Sequence, residues 1–234
     1  MKTANAVLPI KFLSLILLAT TACSSPQRAP EEVDEVAIQT PEQAKKALAD
    51  GNSRFLMKRT ISQDFSAQIQ KTQDSQKPYA IVLSCLDSRI PPEIVLDQGI
   101  GDIFVARVAG NIENSDILGS MEFGTAVAGA KLIVVMGHTK CGAVKGACQG
   151  AKLEHLTDLL KKIEPSVQSV KASEPKFDPH SYAHIDRVAE ENVTRTVSSI
   201  RKKSATLSSL EKAGKLKIVG AMYDLASGKV TWTD

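Results

Sequence analysis

The stretch Leu132-Ile133-Val134-Val135-Met136-Gly137-His138-Thr139-Lys140-Cys141-Gly142 sets the reading of the whole chain. Its first half is continuously apolar and rich in β-branched residues, with no polar residue at every second place. A strand of that kind belongs in a parallel sheet covered on both faces. Its second half turns abruptly to small, polar and metal-ligating residues. Tyr79 to Ser84, Asp102 to Val108 and Leu216 to Met222 are three further runs of the same kind, and Lys229 to Thr233 is a final short strand after the turn Asp224 to Gly228. Helical patterns lie between them: Ile117 to Ala130; Leu153 to Ile163 with Leu156, Leu159 and Leu160 on one side; and Asp186 to Lys203 with Val188, Val193, Val197 and Ile200. Strands alternating with helices give an α/β domain with a mostly parallel central sheet flanked by helices. Thr40-Pro41-Glu42 starts an earlier helix with a capping hydroxyl, Pro at the first position and an acid in the first turn. Ala44, Leu48 and Phe55 form its apolar face, interrupted at Gly51-Asn52.

Two strands run directly into chemistry. The first leads into Ser84-Cys85-Leu86-Asp87-Ser88-Arg89, and the stretch quoted above into His138-Thr139-Lys140-Cys141. In an open parallel sheet the crevice lies at the carboxyl ends of the strands. Cys85, Asp87, Arg89, His138 and Cys141 are therefore expected on one edge. Two thiolates and one imidazole make three zinc ligands and leave a fourth position open, the arithmetic of a catalytic zinc site.

Composition narrows the field. The chain has 234 residues, 43% hydrophobic and 24% charged, enough apolar material for one sizeable core. Lys and Arg total 29 against 26 Asp and Glu, a net charge of +3 that is no nucleic-acid signature. Aromatics at 4% argue against stacking platforms for bases or sugars, and 4 cysteines rule out a disulfide-built scaffold.

The first residues read as an address. Lys2 and Lys11 precede the apolar run Phe12 to Ala19, then come Thr20-Thr21-Ala22 and Cys23. This resembles a bacterial lipoprotein signal, with residues 1–22 removed and Cys23 lipidated, although Thr20 stands where such signals usually carry Leu. Residues 23–39 follow as a flexible tether, and 40–234 as the catalytic domain. Ser24 after the Cys resembles sorting to the outer membrane of a Gram-negative envelope, on its periplasmic side, with the lipid anchor as the sole membrane attachment and ordinary periplasmic secretion as the other reading.

Taken together, Cys85-Leu86-Asp87-Ser88-Arg89 and His138-Thr139-Lys140-Cys141-Gly142 resemble the β-class carbonic anhydrases. Gly51-Asn52-Ser53-Arg54-Phe55, Arg107-Val108-Ala109-Gly110-Asn111, Glu122-Phe123 and Gly220-Ala221-Met222-Tyr223-Asp224 with Gly228 extend the resemblance from Thr40 to Trp232. The resemblance implies reversible hydration of carbon dioxide to bicarbonate and a proton. It implies one zinc per chain, held by Cys85, His138 and Cys141, with Asp87 orienting the attacking water and Arg89 keeping Asp87 in place. Asp87 could become the fourth ligand in a closed, inactive state. Gln76 matches a substrate-positioning residue that acts across a dimer interface. The implied assembly is a homodimer or dimer of dimers, with the N-terminal helices, Thr40 to about Ile69, wrapping the partner. The sole tryptophan, Trp232, stands at the far end of the chain. A bicarbonate switch built on a Trp beside the N-terminal helices is therefore expected to be absent, and the site open at neutral pH. Two other readings use the same residues: a hydrolase of carbonyl sulfide or carbon disulfide, and a non-catalytic zinc-binding or redox lipoprotein. Cys148 reads as a small buried residue, and His155, His180 and His184 as solvated residues with a minor claim to proton relay.

Overall fold

The computed structural model describes residues 38–233. The expected signal peptide, Cys23 and nearly all of the tether lie outside them. Among the described residues five strands form one sheet: β1 Ala80–Ser84, β2 Ile103–Arg107, β3 Leu132–His138, β4 Lys217–Tyr223 and β5 Val230–Thr233. Their order is β2-β1-β3-β4-β5; the first four are parallel and β5 runs antiparallel to β4. Every residue of β1 and β3 is buried, as expected of continuous apolar runs in a sheet covered on both faces. The strand order reverses between β1 and β3, the point at which such sheets open a crevice beyond their carboxyl ends.

Among the described residues the α-helices are α1 Pro41–Leu56, α2 Phe65–Thr72, α3 Pro92–Val95, α4 Ser115–Glu122, α5 Gly142–Gln149, α6 Glu154–Lys161, α7 Glu164–Ser173, α8 Tyr182–Lys203 and α9 Ala205–Lys212. The predicted start of α1 is present as a reciprocal cap. The Gln43 N–H donates to Thr40 Oγ1 at 3.2 Å, and the Thr40 N–H donates to Gln43 Oε1 at 3.1 Å. The interruption expected at Gly51-Asn52 does not occur. Gly51 lets the helix press on α3, where an added Cβ would stand 1.8 Å from the Leu96 carbonyl oxygen. Asn52 is buried and bridges three backbone groups: its amide donates to Val95 O and Gly228 O, and its carbonyl accepts from Val230 N, each at 2.9 Å. With Ala44 and Leu48 fully buried, α1 belongs to the chain's own core. The next helix, α2, buries none of its residues.

The expected helix Ile117 to Ala130 is shorter. After α4 the chain widens into a π turn, Phe123–Val127, and Gly129 closes it at φ +85°. The longest helix among the described residues, α8, buries Ile185, Val188, Ala189, Asn192, Val193, Thr196, Val197 and Ile200 along one face. It seats closely on β3 and β4 because Gly137 and Gly220 lack a side chain; a Cβ on either would lie 2.6 Å from Val193. Trp232 calls for a correction. Although it stands far along the sequence from the N-terminal helix, β5 pairs it with Ala221 and brings it beside α1, with Lys45 Nζ 5.8 Å from its ring centroid. Distance along the chain was no guide to its distance from the N-terminal helix.

Candidate metal centre

β1 and β3 are in register, Ser84 beside Met136, so the residues that follow them emerge together. Cys85 leaves the end of β1, His138 is the last residue of β3, and Cys141 caps the N-terminus of α5. Their ligand atoms all lie within 4.8 Å of one another and all three residues are buried. Among the described residues this is the one group of three or more such side chains placed to share a metal ion. The two sulfurs are 3.9 Å apart.

The donor set fits a soft or borderline divalent cation on three counts. His138 is fully buried and its Nδ1 sits 2.9 Å from Thr139 O, which sets the tautomer: Nδ1–H donates and Nε2 keeps a lone pair. That Nε2 has no partner, and with Ser84 Oγ and Asn111 Nδ2 it is one of three buried polar side-chain atoms in that condition among the described residues. The thiols are the second count. The Cys141 thiol beside Cys85 pushes the Cys85 pKa down against the opposing effect of burial, helped by His138 and by the N–H groups of Asp87 and Gly110. The neighbouring Cys85 sulfur and burial push Cys141 up. One negative charge is thus tolerated and the second is not, until a cation lies between the sulfurs. Third, Cys141 stands at a helix start, where the N–H groups of Ala143 and Val144 favour its thiolate.

Asp87 and Arg89 are joined as expected. Asp87 Oδ1 accepts from the Arg89 backbone N–H at 3.0 Å and from Nε at 2.9 Å, and Oδ2 accepts from Nη2 at 2.7 Å. Oδ2 also faces the donor cluster, 3.9 Å from His138 Nε2. These bonds from Arg89 hold the Asp87 carboxyl at about 2, below its ordinary 3.8, against a partial burial that would raise it. Arg107, quoted in the sequence only as part of a motif, braces the same loop. Its guanidinium donates to Cys85 O at 3.0 Å, Leu86 O at 3.1 Å and Asp87 O at 2.5 Å. An arginine ending a strand gave no signal of that role, because its three acceptors are carbonyls some twenty residues earlier.

The remaining expected residues stand apart. Gln76 is exposed between α2 and β1, along a groove with Thr72, Asp74, Ile100 and Gly101. Cys148 is buried in α5 and burial pushes its thiol up to about 11, as suits an inert small residue. His180 precedes α8 and His184 stands in its first turn: His180 Nδ1 meets Gln149 Nε2 at 3.1 Å, and His184 accepts from Asp178 N at 2.9 Å while stacking on Phe177. His155 is exposed on α6.

Comparison with known proteins agrees with this geometry. A family model described as carbonic anhydrase matches residues 80–230. A carbonic anhydrase of Mycolicibacterium smegmatis is 34% identical over 81% of this chain and 92% of its own length. Carbonic anhydrase 2 of Mycobacterium tuberculosis is 34% identical over 83% of this chain and 93% of its own. Among solved structures, the β-carbonic anhydrase CcaA superposes with a TM-score of 0.68 at 25% identity, over 81% of this chain and 95% of that one. The β-carbonic anhydrase CafA of Aspergillus fumigatus gives 0.66 at 28% identity, over 81% and 90%.

Proposed function

This chain belongs to the β-class carbonic anhydrases, and from that premise we propose that Cys85, His138 and Cys141 hold one zinc ion as the working centre of the enzyme. The reaction is the reversible hydration of carbon dioxide to bicarbonate and a proton. The observation that carries the residue assignment is the partnerless Nε2 of a fully buried His138, whose ligand atom lies within 4.8 Å of those of two cysteines. Zinc supplies a Lewis acid that brings the ionisation of water close to neutral pH.

The chain's own residues do the rest. His138 is locked by its Nδ1–H bond to Thr139 O, so Nε2 cannot turn away. Asp87, kept ionised by Arg89, offers Oδ2 as the acceptor for the attacking water and turns the water's lone pair towards the carbon. Arg89 holds Asp87 by both carboxylate oxygens and so keeps it from closing over the donors, which supports an open site at neutral pH. A redox or storage role has no use for this Asp87–Arg89 pair, and the relatives do not favour a carbonyl sulfide or carbon disulfide hydrolase. Cys85→Ser is expected to lose most bound zinc by metal analysis; full zinc in that variant would remove Cys85 from the site.

The assembly is a homodimer or dimer of dimers in this reading, with Gln76 reaching a partner's site. What supports it is the exposed run Leu56, Met57, Ile61, Phe65 and Ile69, apolar surface a monomer would rarely leave in water. In the same reading residues 1–22 are a signal, Cys23 is lipidated and the enzyme works on the periplasmic side of a Gram-negative envelope, the support being the apolar run Phe12 to Ala19 followed by Thr20-Thr21-Ala22-Cys23. Cys23→Ser should abolish labelling by fatty acid and release the protein, and a parent chain that takes up no label would leave plain secretion as the better reading.

A further inference from the structure

Both donor-bearing loops are tied to a single helix, and by two polar side chains that carbon dioxide hydration does not itself require. The first is Asn192, 2% exposed in the middle of the apolar face of α8. Its Nδ2 donates to Gly110 O at 2.8 Å, and the Gly110 N–H donates to Cys85 Sγ at 3.3 Å. Its Oδ1 lies 3.5 Å from Ser166 Oγ of α7. Gly110 is left-handed at φ +73°, and a Cβ there would strike Ile163 at 2.6 Å, so the peptide is presented to Cys85 by backbone alone. The second is Asp186, one and a half turns earlier on α8. Its Oδ1 accepts from Lys140 N at 2.6 Å. Lys140 stands between His138 and Cys141 and is itself left-handed at φ +54°, a conformation a lysine holds only when its surroundings impose it. The helix that carries both residues is seated on β3 and β4 through Val193.

We propose that Asn192 and Asp186 are positioning residues of the metal centre. Asn192 aims the Gly110 N–H at the Cys85 sulfur, and Asp186 fixes the Lys140 peptide so that His138 and Cys141 converge. The inference rests on the zinc reading and deepens it. An N–H bond to a ligating sulfur draws charge from the thiolate, and a fixed peptide spares the site a rearrangement on binding. Loss of such outer partners lowers metal affinity by about 10- to 100-fold.

The test is release of zinc to a chromophoric chelator, together with the sulfur-to-metal charge-transfer band of the cobalt(II)-substituted protein. Asn192→Ala and Asp186→Ala should release zinc about 10- to 100-fold faster than the parent. Asn192→Ala should also move the cobalt band to lower energy, since the sulfur regains charge. Asp186→Asn keeps an acceptor oxygen and should behave like the parent. Val197→Ala, also buried on α8 but bonded to neither loop, should lower the melting temperature and leave both readouts unchanged. Should Asn192→Ala not fold, Asn192→Ser replaces it, keeping a polar group too short to reach Gly110 O. Release from the Asn192 and Asp186 variants no faster than from Val197→Ala would overturn the inference while the zinc reading stands. A parent chain that binds no zinc would overturn both.

Discussion

Replacing Asp87 by Asn changes three atoms' worth of chemistry and almost no shape. In the parent, Oδ1 receives two N–H groups of Arg89, and Oδ2 receives a third while facing His138 Nε2 across 3.9 Å. An amide has a single acceptor oxygen. Placing its NH2 at Oδ1 would set it against two donors, so the NH2 takes the Oδ2 place. There it opposes Arg89 Nη2 and points a donor at the pocket, where the water needs an acceptor. The three metal donors are untouched, so zinc content should stay at the parent level. Activity should fall by about 10- to 100-fold, the usual loss for an outer partner of a metal site, which corresponds to roughly 1.4–2.7 kcal/mol of transition-state stabilisation. Stopped-flow carbon dioxide hydration alongside metal analysis measures both. Parent turnover in fully zinc-loaded Asp87→Asn would refute the role given to Oδ2, and loss of zinc would show that Asp87 helps to hold the metal.

Asp87 also sets a pH expectation. Its folded value of about 2 is depressed from the ordinary 3.8, so its contribution to stability is complete above 3.8 and is lost as the pH falls through about 2. Arg89→Ala removes the cause and should return the carboxyl towards 3.8, as read from its 13C shift; a parent Asp87 that already titrates near 3.8 would contradict the pairing. Asn52→Leu strands Val95 O, Gly228 O and Val230 N in buried surroundings. At about 1–3 kcal/mol for each group, partly relieved by relaxation, the loss should be about 3–5 kcal/mol, read from the urea midpoint; a loss below about 1 kcal/mol would mean the strand finds other partners.

How much of this was legible in the sequence depended on whether the cause was local. β1 and β3 were readable because parallel strands buried on both faces must be apolar throughout, and the rule that crevices open at strand ends then brought Cys85, His138 and Cys141 together. The start of α1 was readable because Thr40, Pro41 and Glu42 act within one turn. Its continuation through Gly51 was not, since the reason is the Leu96 carbonyl pressing on a residue without a side chain. The short helices α7 and α9 carry too few apolar residues to show a period, and they exist because α8 and the sheet cover them. Asn192 drew no notice in the sequence, because the partner that gives it meaning is 82 residues away. Trp232 shows the same limit from the other side: the antiparallel turn into β5 reversed the distance that chain position suggested.

The central claim is that the buried Cys85–His138–Cys141 cluster, loaded with zinc, hydrates carbon dioxide. Its most direct test is to titrate the zinc-free chain with zinc while following hydration by stopped flow. The account predicts a rate that rises linearly and breaks at one zinc per chain. A chain that takes up one zinc and hydrates carbon dioxide no faster than buffer, or one that is fully active without zinc, would contradict it.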